Sequence, residues 1–141
     1  MCIRDREYAS RGGAETLRHY GSGDSLLRRY AWFGYVDERG NPPDAPRDVG
    51  TLLPNQYGLF DSLGNVDEWC QTWFSESSPD GSQLVDGYEG DKGQSFGGRE
   101  YRGGSFYNLP TEVFDSRRDQ CVGVISNYYY QLGIRVAVTL P

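Results

Sequence analysis

Hydrophobic residues in this chain come in short bursts separated by polar, glycine-rich stretches, and no helical or strand period persists for long. Residues 6–17 start as a helix with no N-cap at Glu7-Tyr8-Ala9, and Gly12-Gly13 ends it early. Gly21-Ser22-Gly23-Asp24 reads as a turn that leads into Leu26-Leu27 and the aromatic run Tyr30-Ala31-Trp32-Phe33. Residues 40–46 read as a surface loop. Pro54-Asn55-Gln56-Tyr57-Gly58-Leu59-Phe60 reads as a turn that delivers a buried aromatic strand or short helix. Asp67 and Glu68 stand among Trp69, Cys70, Trp73 and Phe74, so their charge needs a partner once folded. Residues 75–99 are poor in apolar side chains and read as one long surface excursion. Tyr101-Arg102-Gly103-Gly104-Ser105-Phe106 predicts a strand entered over a double glycine. Leu132-Gly133-Ile134-Arg135-Val136-Ala137-Val138 predicts a closing strand of alternating burial, and residues 107–131 between them have little periodicity. The sum is an α+β domain with few short strands and much ordered loop.

Composition sharpens this picture. Glycine (19) and proline (7) fill 26 of 141 positions, which excludes a long-helix architecture. Aromatic residues make up 14% of the chain, so the core is built from rings as much as from aliphatic layers. A formal charge of −6 removes the attraction that supplies most nucleic-acid affinity, and no nucleic-acid partner is expected. Every cation except Lys92 is an arginine, the side chain suited to holding carboxylates in a fork when buried, so several are expected to be structural. No apolar run is long enough to span a membrane. The first residues lack the apolar segment of a signal peptide, and both a cytoplasmic and an exported location fit the sequence.

Cys2, Cys70 and Cys121 show no CxxC spacing, and His19 is the single histidine, so a zinc site is excluded. Cys70 and Cys121 are either bridged or two buried thiols. With His19 far off in sequence, Cys70 has no partner of the kind a nucleophilic cysteine needs. Glu112, Asp115 and Asp119, interleaved with Arg117 and Arg118, read as a salt-bridged surface.

Four segments stand in one order: Pro54 to Asp61, Leu63-Gly64-Asn65-Val66-Asp67-Glu68-Trp69-Cys70, Arg102-Gly103-Gly104-Ser105-Phe106, and Leu132-Gly133-Ile134-Arg135-Val136-Ala137. Together they resemble the formylglycine-generating enzyme family, also called sulfatase-modifying factor, with its pattern PNxxGLYDMxGNVWEWC, then RGGSW, then GFRVA. Glu7-Tyr8-Ala9-Ser10-Arg11 is similar to the family's EYAxR. The resemblance implies a C-type-lectin-like variant of the α+β class, with a small twisted antiparallel sheet and most of the chain in ordered loops. It also implies that residues 7–141 are the C-terminal portion of such a domain, whereas Met1 to Arg6 resemble a non-native leader.

The resemblance implies a calcium site as well, with backbone oxygens at Leu63, Gly64 and Val66 and the carboxylate of Glu68. A tight turn offering carbonyls beside a carboxylate suits that ion. The alternative is that Glu68 pairs with a buried arginine such as Arg102 or Arg135. Asp67 stands where the family has a tryptophan, which adds charge and removes a packing ring. The family's enzymes oxidise a peptide cysteine to formylglycine with copper held by two cysteines shortly after RGGS. The matching positions here are close to Asn108 and Val113, neither of them a soft thiolate, so copper is not expected. Ser105 matches a serine of the family's active site, and it reads equally as a strand hydroxyl beside the double glycine.

Tyr107, Asn108, Phe114, Tyr128, Tyr129 and Tyr130 fall near the family's substrate groove, and tyrosine and asparagine suit recognition surfaces. At least one of the three consecutive tyrosines must face the interior if they form a strand. The expected function is a family domain without copper chemistry that acts as a binding or structural module for a peptide or protein ligand, joined upstream to a kinase or other domain. Two alternatives are an oxidase of the formylglycine-generating type and a non-haem iron relative whose metal is held by another domain. A third reading is a variable-surface protein of the same fold.

Overall fold

The computed structural model describes residues 1, 3–34, 44–73, 99–117, 119–120 and 129–138. Helix α1 (Ile3–Arg11) turns Ile3, Arg6 and Ser10 inward. It stops where expected: Gly12 and Gly13 take φ of +57° and +88°, which L side chains rarely adopt. Asn55 secures that end by donating from Nδ2 to the carbonyls of Ala9 (2.6 Å) and Ser10 (2.9 Å). Its Oδ1 meanwhile accepts the amides of Tyr57 and Leu59, each at 3.0 Å. The asparagine of the Pro-Asn motif is therefore a clamp that fits a turn to a helix terminus.

A one-turn helix α2 (Leu27–Tyr30) runs into β1 (Ala31–Trp32), which pairs in parallel with β2 (Leu63–Gly64). Gly64 is required here, because its φ is +72° and a Cβ would lie 2.1 Å from the Trp32 carbonyl oxygen. The larger sheet is centred on β3 (Asp67–Trp73). It is flanked by β4 (Arg99–Arg102) with β5 (Asp119–Gln120) beyond, and on the other side by β6 (Leu132–Gly133). Glu68 faces Arg102 and Trp69 faces Tyr101 across the antiparallel β3–β4 ladder.

Three expectations need correction. The sheet is mixed, because β6 returns past β4 and β5 and lies parallel to β3. The strand placed at residues 101–106 precedes the double glycine and ends at Arg102, since Gly103 and Gly104 have φ of +107° and +77°. The closing strand is laddered only at Leu132–Gly133, and beyond it Ile134, Val136, Ala137 and Val138 are all exposed, so the expected alternation of burial is not formed. Residues 75–98 of the expected surface excursion, Tyr128, Cys121 and therefore the Cys70–Cys121 pairing lie outside the described residues. Cys70 is a buried free thiol whose pKa burial pushes up.

The apolar core is small: Leu27, Ala31, Phe33, Leu63 and Val113, with Tyr20 against it. Around it the interior is polar. Arg18 is buried and donates to the carbonyls of Val113 (2.7 Å) and Pro110 (2.6 Å) while pairing with Asp24 at 2.8 Å, the structural role expected of the arginines. Asp115, expected at a salt-bridged surface, is instead fully buried and accepts the Ser10 hydroxyl, and burial raises its pKa. His19 lies beside it in the chain fold, with its ring edge-on to Tyr20 and Tyr30, and neither ring nitrogen has a hydrogen-bond partner.

Burial lowers the His19 pKa from 6.5 to about 4. The unfolded chain therefore binds this proton more readily between those values, and stability is full above pH 6.5 and falls as pH drops toward 4. The loss is offset in part by Asp115, whose raised pKa favours the folded state in acid. Urea denaturation of His19→Phe at a series of pH values should show a flatter profile across this window than the parent chain.

Candidate functional site

The turn after β4 brings the sequence-predicted site residues together. Gly103 and Gly104 bend the chain, and the Gly104 amide donates to Asp67 Oδ1 at 2.9 Å. Asp67, where the resemblance implies tryptophan, is thus a buried acceptor that holds the turn. A Cβ on Gly104 would sit 3.2 Å from Val113 Cγ2, so the double glycine also lets this turn pack on the core.

Asn108 closes the turn. Its Oδ1 accepts the Ser105 amide at 2.7 Å and lies 3.1 Å from the Ser105 hydroxyl, and its own amide donates to the Ser105 carbonyl at 3.1 Å. The Asn108 carbonyl accepts the Gly34 amide at 2.6 Å. A Cβ at Gly34 would come within 2.7 Å of the carbonyl oxygens of both Tyr107 and Asn108, so only glycine allows this approach. Glu112 Oε2 accepts the Leu109 amide at 2.8 Å and fixes the next step of the chain. Ser105 is fully buried, with its hydroxyl also 3.1 Å from Gln131 Oε1. Val113 is 0% exposed within the apolar core. Asn108 is therefore a turn lock, Val113 a core side chain and Ser105 an interior hydroxyl.

Outside this knot stand Tyr107 and Tyr130, 51% and 53% exposed, on either side of the buried Phe106 at ring distances of 6.5 and 6.0 Å. Leu109 is exposed beside them in sequence, Phe114 is half-buried, and Tyr129 begins the short turn Tyr129–Gln131. Leu109 carries no motif that would have singled it out in the sequence.

The expected calcium turn is organised differently. Glu68 is buried on β3, and its Oε2 accepts Arg6 Nε at 2.8 Å. Arg135 Nε lies 2.9 Å from Oε1 and 3.1 Å from Oε2, and its NH2 is 2.7 Å from Oε1. Of the two arginines weighed at sequence level, Arg135 is the partner of Glu68, whereas Arg102 meets Glu7 and Glu100 at 3.5 and 3.8 Å. Arg6, from the segment that resembles a leader, was not anticipated as a partner. Both oxygens of the sole carboxylate in the set Leu63, Gly64, Val66 and Glu68 are held by guanidinium groups. No group of three or more His, Cys, Asp and Glu side chains fit for a metal occurs among the described residues. No described helix is long and apolar enough to cross a membrane.

The fold and its motif-bearing turns define a domain of the sulfatase-modifying class. The chain belongs to the family described as sulfatase-modifying factor enzyme 1-like domain, whose model matches residues 3–140. It is 37% identical over 110 residues to a formylglycine-generating enzyme of Streptomyces coelicolor, covering 71% of this chain and 33% of that protein. It is 38% identical over 68 residues to a serine/threonine-protein kinase, pkn1, of Chlamydia pneumoniae, covering 48% of this chain and 10% of the kinase. Among solved structures it is similar to Treponema denticola variable protein 1, with TM-score 0.73, 29% identity and coverage of 94% of this chain and 44% of that one. It shares its fold with PvdO from Pseudomonas aeruginosa, with TM-score 0.62, 20% identity and coverage of 85% and 45%. The chain thus spans less than half the length of each of these proteins.

Replacing Asn108 by Ala should leave the buried Ser105 amide without its acceptor, at a cost of about 1–3 kcal/mol. Tyr107→Ala at the exposed neighbour should stay within about 0.5 kcal/mol of the parent. Chemical denaturation of the two variants side by side checks the contrast.

Proposed function

We propose that this domain is a binding module of the sulfatase-modifying factor fold that carries out no copper oxidation, and that its ligand is a peptide or protein docking on the face of Tyr107, Leu109 and Tyr130. The observation that carries the reading is the use made of Asn108 and Val113. A copper(I) centre needs two soft thiolates, whereas an amide engaged by the Ser105 turn and an isopropyl group sealed in the core offer no metal ligand. Rigid tyrosines above a hydrogen-bonded turn supply contact area at low entropic cost. The likeness to a protein titled as variable supports a recognition role for this fold. The likeness to a protein kinase supports the further part of the reading, in which the module serves a longer protein that carries a kinase or other domain.

A direct test incubates the full-length protein with copper(I), oxygen and a sulfatase-type cysteine peptide and follows the peptide by mass spectrometry. The expected result is an unchanged mass, and conversion of the cysteine to formylglycine overturns the reading. Peptides selected from a displayed library on the same protein should lose about tenfold or more in affinity to Tyr130→Ala, with the melting temperature unmoved.

A further inference from the structure

Several tyrosines of this domain are exposed, and among the described residues one pair of them has its rings in contact. Tyr8 on α1 and Tyr57 in the Pro-Asn turn are 68% and 50% exposed. Their ring centroids are 5.8 Å apart with the planes tilted by 44°, and the Tyr57 hydroxyl donates to the Tyr8 hydroxyl at 3.3 Å. Phenols couple on oxidation through the ring carbons next to the hydroxyl-bearing carbon, so a contact between hydroxyls sets the reactive edges of the two rings against each other. Tyr20 and Tyr30, by contrast, are half-buried and stacked at 4.6 Å and 11°, which turns ring faces rather than edges together. Tyr8 and Tyr57 are 49 positions apart, and the fold brings them together. Asn55 donates to the carbonyls of Ala9 and Ser10, just after Tyr8, and accepts the Tyr57 amide on its Oδ1. One side chain thus fixes both stretches of backbone that carry the rings, and each phenol meets the other at an effective concentration far above that of a second molecule in dilute solution.

We propose that Tyr8 and Tyr57 form an oxidative modification site, at which a haem peroxidase using hydrogen peroxide couples the two phenols into a dityrosine that staples α1 to the Pro-Asn turn. Each phenol gives up one electron and its hydroxyl proton, and the two electrons and two protons reduce one hydrogen peroxide to two waters. The paired radicals form one carbon–carbon bond between the ring positions beside the hydroxyls. The hydrogens displaced from those carbons return to the phenolic oxygens, so the product keeps both hydroxyls and has lost two hydrogen atoms in all. Exposure gives the oxidant access to both rings, and the tilt between them suits the twisted geometry of a biaryl bond. The inference concerns a different part of the fold from the face of Tyr107, Leu109 and Tyr130 and stands independently of the ligand proposed there.

The full-length protein, dilute and folded, is treated with a haem peroxidase and hydrogen peroxide, then digested and mapped by mass spectrometry, with the fluorescence of the biaryl phenol as a second readout. The expected product is a cross-linked peptide pair holding residues 8 and 57, lighter by two hydrogen atoms than the two peptides together. The oxidised protein should melt several degrees higher, because a covalent link across this span restricts the unfolded chain. Tyr8→Phe and Tyr57→Phe keep the ring and lose only an exposed hydroxyl, so each should melt with the parent before treatment. After identical treatment neither should give the peptide pair or the rise in melting temperature. In urea the yield of the link should fall about tenfold or more, since the fold supplies the proximity. Treatment carried on until tyrosine is consumed, with no link between residues 8 and 57, overturns the proposal. A link that forms equally well in urea, or only between two molecules, also overturns it, and a linked protein that melts with the untreated one overturns the staple.

Discussion

The interior of this domain depends on giving every buried charge a partner, and Glu68 is where that constraint reaches furthest. A carboxylate on the central strand of a sheet is expensive to desolvate unless it is paired and hydrogen-bonded. Its partners come from opposite ends of the chain, Arg6 on α1 and Arg135 just past β6. Arg135 in turn grips the turn that precedes β2 through Phe60 and Asp61. One carboxylate therefore ties the helix, the motif-bearing turn and the last strand to β3. An apolar core of a few side chains suffices because the remaining cohesion is polar, through Arg18, Asn55, Asn65 and Asp115 as much as through Leu27 and Leu63.

The same economy shows at Asn108 and Val113, whose side chains both serve the fold. Asn108 satisfies the Ser105 amide, and Val113 fills space between Phe33, Leu63 and Leu27. Tyr107 stands exposed within this hydrogen-bonded turn, and Tyr130 is brought near it by the separate Tyr129–Gln131 turn against Phe106. Affinity at a recognition face benefits from such support, because less ordering entropy is lost on binding.

Much of this was legible in the sequence, and the misses share a cause. Gly12-Gly13 as a helix stop, the motif order and the need of Glu68 for a counter-ion all rest on local chemistry that one segment states by itself. The double glycine was read as the entrance to a strand and is its exit, because the direction of the chain there is set by the Asp67 carboxylate capping Gly104 from β3. Asp115 looked like surface because its neighbours are arginines, yet its partner Ser10 is on α1, too remote for any spacing rule to reveal. The parallel placement of β6 is likewise a property of the path between strands and leaves no mark on Leu132 or Gly133.

Arg135 brings these threads together. Read as part of a strand, it is one polar position among Ile134, Val136 and Val138, and the alternation says only that it faces away from them. In the fold that position points it at β3 and at the 60–62 turn, where carbonyl oxygens from a left-handed Asp61 wait beside a carboxylate. A metal ion would satisfy those oxygens only while supplied from outside, whereas a guanidinium attached to the chain is present in every folded molecule and carries its own specificity for planar, forked acceptors. Stability tied to ambient calcium and stability tied to a covalently attached cation are different solutions to the same buried charge. The distances around Arg135 show the attached cation in place against Glu68 and the 60–61 carbonyls.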